Sequence, residues 1–218
     1  MTEPDFLTTT QTFYDTVASE YADRYRNVRE NPLDRSMLTG FAELVLAEGG
    51  GQVADIGCGP GWVTARLHRL GLSVFGVDLS PEMLALARRE HPDLRFDEGS
   101  MTGLDLPDGS LSGLVSWYSL IHIPEEQRAD VLAGFHRVLA PGGHLLLGFQ
   151  VGDEPLLVAE PFGHPVSLDF HRLRPERIAD LVTKAGFEMQ AQMERQPREA
   201  MESTPQAFLL ARKPAAAA

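Results

Sequence analysis

Val53-Ala54-Asp55-Ile56-Gly57-Cys58-Gly59-Pro60-Gly61 decides how this chain is read: an apolar strand runs into a glycine-rich turn, and a helix opens at about Trp62 and runs to Leu70. Glycine suits such a turn because no Cβ keeps a ligand from the backbone. The same alternation continues downstream. Ser73–Val77 reads as a strand ending at Asp78, and Ser80-Pro81 starts a helix that His91-Pro92 stops. Leu94–Phe96 and Leu111–Trp117 read as further strands, with turn chemistry in Asp105–Ser110 between them. Pro124–Leu139 reads as a helix with Val131, Leu132, Phe135, Val138 and Leu139 on one face; Pro141-Gly142-Gly143 ends it, and His144–Gln150 follows as a strand. Strands alternating with helices predict a parallel sheet covered on both faces, with right-handed crossovers and a ligand beyond the strands' C-terminal ends.

The flanks are less regular. Phe13, Val17, Tyr21 and Tyr25 recur at a spacing of four within residues 10–26, which predicts an amphipathic helix broken by Asn31-Pro32. Residues 33–47 read as a second helix closed by Gly49-Gly50-Gly51, so residues 1–48 are expected to form a helical cap. Residues 151–174 carry Pro155, Pro161, Gly163 and Pro165 without a clear period and read as a long loop or lid. Pro175–Ala185 reads as a helix with Ile178, Leu181, Val182 and Ala185 on one face, and Phe187–Arg195 and Gln206–Arg212 as final strands.

Composition narrows the function classes. The chain has 218 residues, 43% hydrophobic and 23% charged, with a net charge of −12. These are globular values, too apolar for a disordered chain, and the length suits one domain over residues 1–218. An acidic chain repels phosphate backbones, so no nucleic-acid partner is expected. A single cysteine, Cys58, forms no internal disulfide; no Cys/His cluster has metal-ligand spacing, so no metal is expected and a reducing cytoplasm is. The acidic, polar N-terminus is unlike a signal peptide, and no apolar run approaches the ~18 residues of a membrane span. Oligomeric state is not legible.

Asp78 follows Gly57 by 21 residues (78 − 57) at the end of the next strand, where a carboxylate can accept from both hydroxyls of a ribose. The glycine spacing is G-x-G-x-G, and Trp62 stands where a dinucleotide fingerprint has its third glycine. Asp55, just before the turn, would repel a pyrophosphate and suit an ammonium group. S-adenosylmethionine has that ammonium, a ribose and no phosphate.

DIGCGPG, with VDLS (77–80), LPDGS (106–110) and HRVLAPGGHLLL (136–147), resembles the class I S-adenosylmethionine-dependent methyltransferases, most of all their small single-domain bacterial members. The resemblance implies a Rossmann-like, doubly wound sheet of about seven strands, mostly parallel, with the last antiparallel. It implies that Asp55, Gly57, Gly59 and Gly61 line the methionine and ribose end, that Asp78 holds the ribose, and that Leu79, Ser100 and Met101 meet the adenine. It places Trp117 near the sulfonium and Tyr14 and Tyr21 at the donor carboxylate and pocket mouth. Ser100 stands where the family usually has an acid, and Ser112-Gly113 where it often has Phe-Asp. His122 is the candidate general base; Tyr118, His164 and His171 are candidate substrate contacts. The expected activity is methyl transfer to an oxygen or nitrogen of a small molecule, with S-adenosylhomocysteine as product. The alternatives are an NAD(P)-dependent oxidoreductase and a non-catalytic nucleoside-binding protein.

Overall fold

In the computed structural model, which describes residues 3–25, 31–198 and 202–215, the VADI segment is strand β1 (Gln52–Ile56) at the centre of a seven-stranded sheet. Its alternation sorts the two faces of the core: Val53 packs with Phe41, Val45, Val63 and Leu67, whereas Ala54 and Ile56 pack with Phe135, Ile178 and Val182. A strand buried on both faces is mostly apolar, as Leu145, Leu146 and Leu147 also show; Asp55 is the exception in β1.

The sheet contains β2 (Ser73–Asp78), β3 (Arg95–Glu98), β4 (Leu111–Trp117), β5 (Leu139–Gln150), β8 (Glu188–Arg195) and β9 (Gln206–Arg212), in the order β3-β2-β1-β4-β5-β9-β8. Pairing is parallel from β3 through β5, and β9 runs antiparallel to both β5 and β8. The strand order reverses between β1 and β4, which is where open α/β sheets bind ligands. Helices α2 (Pro32–Ala47) and α3 (Trp62–Arg69) cover one face, α5 (Arg128–Val138) and α6 (Pro175–Lys184) the other, and α4 (Pro81–Glu90) packs by β3. The whole is a Rossmann-like α/β fold.

Several details depart from the sequence expectations. Helix α1 (Glu3–Tyr25) starts seven residues before the expected Thr10, while Arg26 lies outside the described residues. The Pro124–Leu139 helix opens with a 3-10 turn at Glu125–Gln127. Pro141-Gly142-Gly143 does not separate helix from strand: β5 begins at Leu139 and crosses the segment with a register shift against β4. Residues 151–174 are not a structureless loop. They hold a two-stranded hairpin, β6 (Leu156–Ala159) with β7 (Ser167–Phe170), apart from the main sheet. Pro161, Gly163 and Pro165 crowd the turn, and strands of four residues are too short to show a period.

Helix α1 is clasped to α4. The Ser80 hydroxyl caps Met83 N–H at 3.1 Å and donates to Asp15 Oδ1 at 2.5 Å, and Glu82 N–H also donates to Asp15. Ala18 and Ala22 pack on Met83 and Leu86. Among the described residues no helix is long and apolar enough to cross a membrane, and no group of His, Cys, Asp and Glu is arranged to hold a metal ion.

Candidate functional site

The turn after β1 is held open by its neighbours. Gly57 and Cys58 N–H both donate to Val77 O, which ties the turn to the end of β2. Gly57 has φ +76°, and a Cβ there would lie 2.2 Å from Ser119 Cβ. Gly59 has φ +53°, and a Cβ there would meet no atom within 4 Å, because it faces the cavity. Gly61 differs: it begins α3, and a Cβ would press 2.7 Å from the Phe96 ring, so its smallness serves helix–sheet packing.

The cavity over these strand ends encloses about 810 Å³ of space, partly open to solvent. Asp78 accepts Gly59 N–H at 2.7 Å on Oδ2 and Ser80 N–H at 2.9 Å on Oδ1, so backbone fixes both oxygens. Burial, with the Asp15 charge adding to it, pushes the Asp78 carboxyl above its usual range. Leu79, Gly99, Ser100 and Met101 extend the wall beyond Asp78, and Trp117 and Tyr118 close the β4 end. Tyr118 has φ +56°, a left-handed backbone uncommon outside glycine, at the point where β4 gives way to the site. No Lys or Arg lines this cavity among the described residues.

Helix α1 supplies the opposite wall through Phe6, Thr10, Tyr14 and Tyr21. The Tyr14 hydroxyl lies 2.8 Å from His122 Nε2. Burial, with the charge of His171 nearby, pushes the His122 imidazole down to about 3, so the ring is neutral through the physiological range. Tyr14 also meets Tyr21 edge to face at 5.7 Å, and Tyr21 stacks on Trp62 at 6.4 Å.

Of the residues singled out from sequence, Tyr14, Tyr21, Gly57, Gly59, Asp78, Leu79, Ser100, Met101, Trp117, Tyr118 and His122 line the cavity. Asp55, Gly61, His164 and His171 do not. Asp55 is fully buried beneath the turn and accepts the Thr64 hydroxyl at 2.7 Å. His164 pairs with Glu20 at 3.1 Å near the surface. His171 borders a charged hollow that adjoins this cavity through Phe6, Thr10 and His122. Cys58 packs with Leu84, Ala87 and Phe96, and burial raises its thiol well above the ordinary range. Phe6, Thr10 and Ser119 were missed; the spacing Phe6–Thr10–Tyr14 would have disclosed the first two had the helix been carried back. Nothing local marks Ser119, whose hydroxyl donates to Ile56 O at 2.7 Å.

Comparison with known proteins places these features in context. A family model described as a methyltransferase domain matches residues 53–143. A demethylmenaquinone methyltransferase of Chlorobaculum parvum is 30% identical over 137 residues; the match spans 62% of this chain but only 54% of that relative. A ubiquinone biosynthesis O-methyltransferase of Nitrosococcus oceani is 30% identical over 177 residues, 73% of this chain and 71% of the relative. Among solved structures, a magnesium protoporphyrin IX methyltransferase from Synechocystis with bound S-adenosylmethionine aligns with a TM-score of 0.69 at 17% identity, over 95% of this chain and 97% of that one.

Proposed function

This chain belongs to the class I S-adenosylmethionine-dependent methyltransferase family, and from that premise we propose that it moves a methyl group from S-adenosylmethionine to an oxygen or nitrogen of a small molecule. One observation carries the reading: a half-buried, backbone-anchored carboxylate, Asp78, faces a glycine turn in a cavity without a lining cation among the described residues. A ribose suits Asp78, because each oxygen spends one lone pair on backbone and keeps another for a hydroxyl. A pyrophosphate does not suit this cavity, because no lysine or arginine of its lining would balance the charge. The space beside Gly59, which a Cβ would fill, admits a ligand against the backbone.

S-adenosylmethionine held there would supply an already activated methyl group on its sulfonium. The chain's own residues bind, orient and exclude water. Asp78 and the turn at Gly57–Gly59 fix the donor, and the Trp117 and Tyr118 rings favour a cation by their π-faces. Alignment of acceptor and donor is worth up to ~7–11 kcal/mol of barrier in well-oriented cases. His122, at about 3, is a weak base. Its part is positioning: it holds the Tyr14 hydroxyl against the cavity wall. Residues 1–48 and 151–174 act as cap and lid in this reading, which also takes the protein to be cytoplasmic. The likeness to the N. oceani relative, an O-methyltransferase of ubiquinone biosynthesis, supports a small-molecule acceptor.

Calorimetry tests this directly. S-adenosylhomocysteine is expected to bind with micromolar affinity, and NADH fluorescence is expected to stay flat on titration. A response to the dinucleotide with no heat from S-adenosylhomocysteine refutes the assignment. Tight binding with no methyl transfer to any acceptor in a broad panel points instead to a nucleoside-binding protein.

A further inference from the structure

A second chamber of about 1200 Å³, partly open to solvent, adjoins the first and shares Tyr14, Tyr21, Trp117 and Tyr118 with it. Its side walls are aromatic. Phe13 of α1 meets Phe170 of β7 edge to face at 5.9 Å, and Phe162, in the hairpin turn, stands 47% exposed over the opening. Its far end is polar but balanced. Asp34 and Glu202 line it, and buried Arg195 binds both: Nε to Asp34 Oδ1 at 2.5 Å and Nη1 to Glu202 Oε2 at 2.6 Å. Arg198 meets Glu202 at 3.4 Å. Two carboxylates thus face two guanidiniums, and a charged ligand would be desolvated there without a counter-charge among the described residues.

The unmet group is neutral. Gln150 ends β5 and lines the chamber; its Oε1 packs out of reach of solvent with no hydrogen-bond partner among the described residues, and a half-turn of the amide would bring that oxygen to the chamber face. Buried acceptors are almost always paired, because an unpaired one forfeits its water. An aromatic-walled, charge-balanced space with one waiting acceptor describes its occupant. We propose that this chamber receives the methyl acceptor, that the acceptor is an uncharged planar aromatic molecule with an O–H or N–H, and that Gln150 accepts from that group and selects for it. The proposal rests on the reading of the adjoining cavity as the donor site. Four shared aromatic residues form the common wall, so a flat ring stacked among them lies next to the donor.

The test uses the full chain saturated with S-adenosylhomocysteine and ligand-detected NMR with four probes: 2-naphthol, 2-methylnaphthalene, 2-naphthoate and 2-decalol. The expected order puts 2-naphthol about tenfold tighter than 2-methylnaphthalene, which leaves Gln150 unpaired, and at least as far ahead of the charged and saturated probes. In Gln150→Leu the gap between 2-naphthol and 2-methylnaphthalene is expected to close to within about threefold. Phe162→Ser, at an exposed position, is expected to weaken 2-naphthol and leave S-adenosylhomocysteine affinity intact. A gap that survives Gln150→Leu, a 2-naphthoate affinity equal to that of 2-naphthol, or displacement of S-adenosylhomocysteine by 2-naphthol overturns the proposal. A chain that takes up 2-naphthol in this pattern but never binds S-adenosylhomocysteine overturns the donor reading instead, and with it the acceptor role.

Discussion

Replacing Asp78 by asparagine keeps the side chain's shape and removes its charge. In the protein, Oδ2 accepts Gly59 N–H at 2.7 Å and Oδ1 accepts Ser80 N–H at 2.9 Å. Asparagine has one oxygen, so its NH2 must face one of the two backbone N–H groups and, beside it, a ribose hydroxyl that had been donating. One charge-assisted bond to the ribose is lost at least. Such a bond contributes about 1.5–3 kcal/mol, or roughly 10- to 100-fold in Kd. The fold should suffer less. Burial holds the Asp78 carboxyl above its usual range, so the folded state binds its proton more readily than the unfolded state does. That contribution favours folding below the ordinary carboxylate pKa and is lost as pH rises through the raised value. At neutral pH the asparagine therefore removes a charge that partial burial disfavours, which offsets the backbone bond it weakens. The expected result is a Tm within a few degrees of wild type without ligand, and S-adenosylhomocysteine affinity reduced at least tenfold by calorimetry. An affinity within threefold of wild type would refute the ribose role.

The two turn glycines should separate fold from function. Gly57→Ala meets Ser119 at 2.2 Å and is expected to give unstable or insoluble protein, whereas Gly59→Ala has open space, so it is expected to fold with a strain of about 1–3 kcal/mol and lose ligand affinity. With its imidazole at about 3, His122 should add no inflection to turnover between pH 6 and 9; an inflection near 6.5 that vanishes in His122→Gln contradicts the positioning role. Arg195→Ala strands the buried Asp34 and leaves Glu202 paired with Arg198 alone, and is expected to cost about 3–5 kcal/mol by urea denaturation; a cost below about 1 kcal/mol would mean that the network is slack. Glu202 titrates below its usual range because its hydrogen bonds and charges from Arg195 and Arg198 outweigh burial, so its contribution holds at neutral pH and is lost as acid carries the protein down through that lowered value.

Strand β1, its glycine turn, Asp78 and the α4 start were legible because each is decided within a few residues, by burial on both faces, by backbone sterics and by capping chemistry. Strands Gln52–Ile56, Leu111–Trp117 and Gln206–Arg212 lie where they were expected for the same reason. The β6–β7 hairpin was not legible: four-residue strands carry no period, and its pairing depends on packing against α1 and the core.

Chain order and side-chain type alone determined the parallel α/β sheet, its ligand-bearing edge and the carboxylate-plus-glycine pattern. Tertiary structure alone decided that Tyr14 meets His122 across 108 positions and that Arg195 binds Asp34 across 161. It also removed Asp55 and Gly61 from the cavity surface and left the Gln150 oxygen without a partner among the described residues. Periodicity and turn rules act through neighbours along the chain. Which distant groups share a wall, and which of them lose water without gaining a bond, is set only when the layers close on one another.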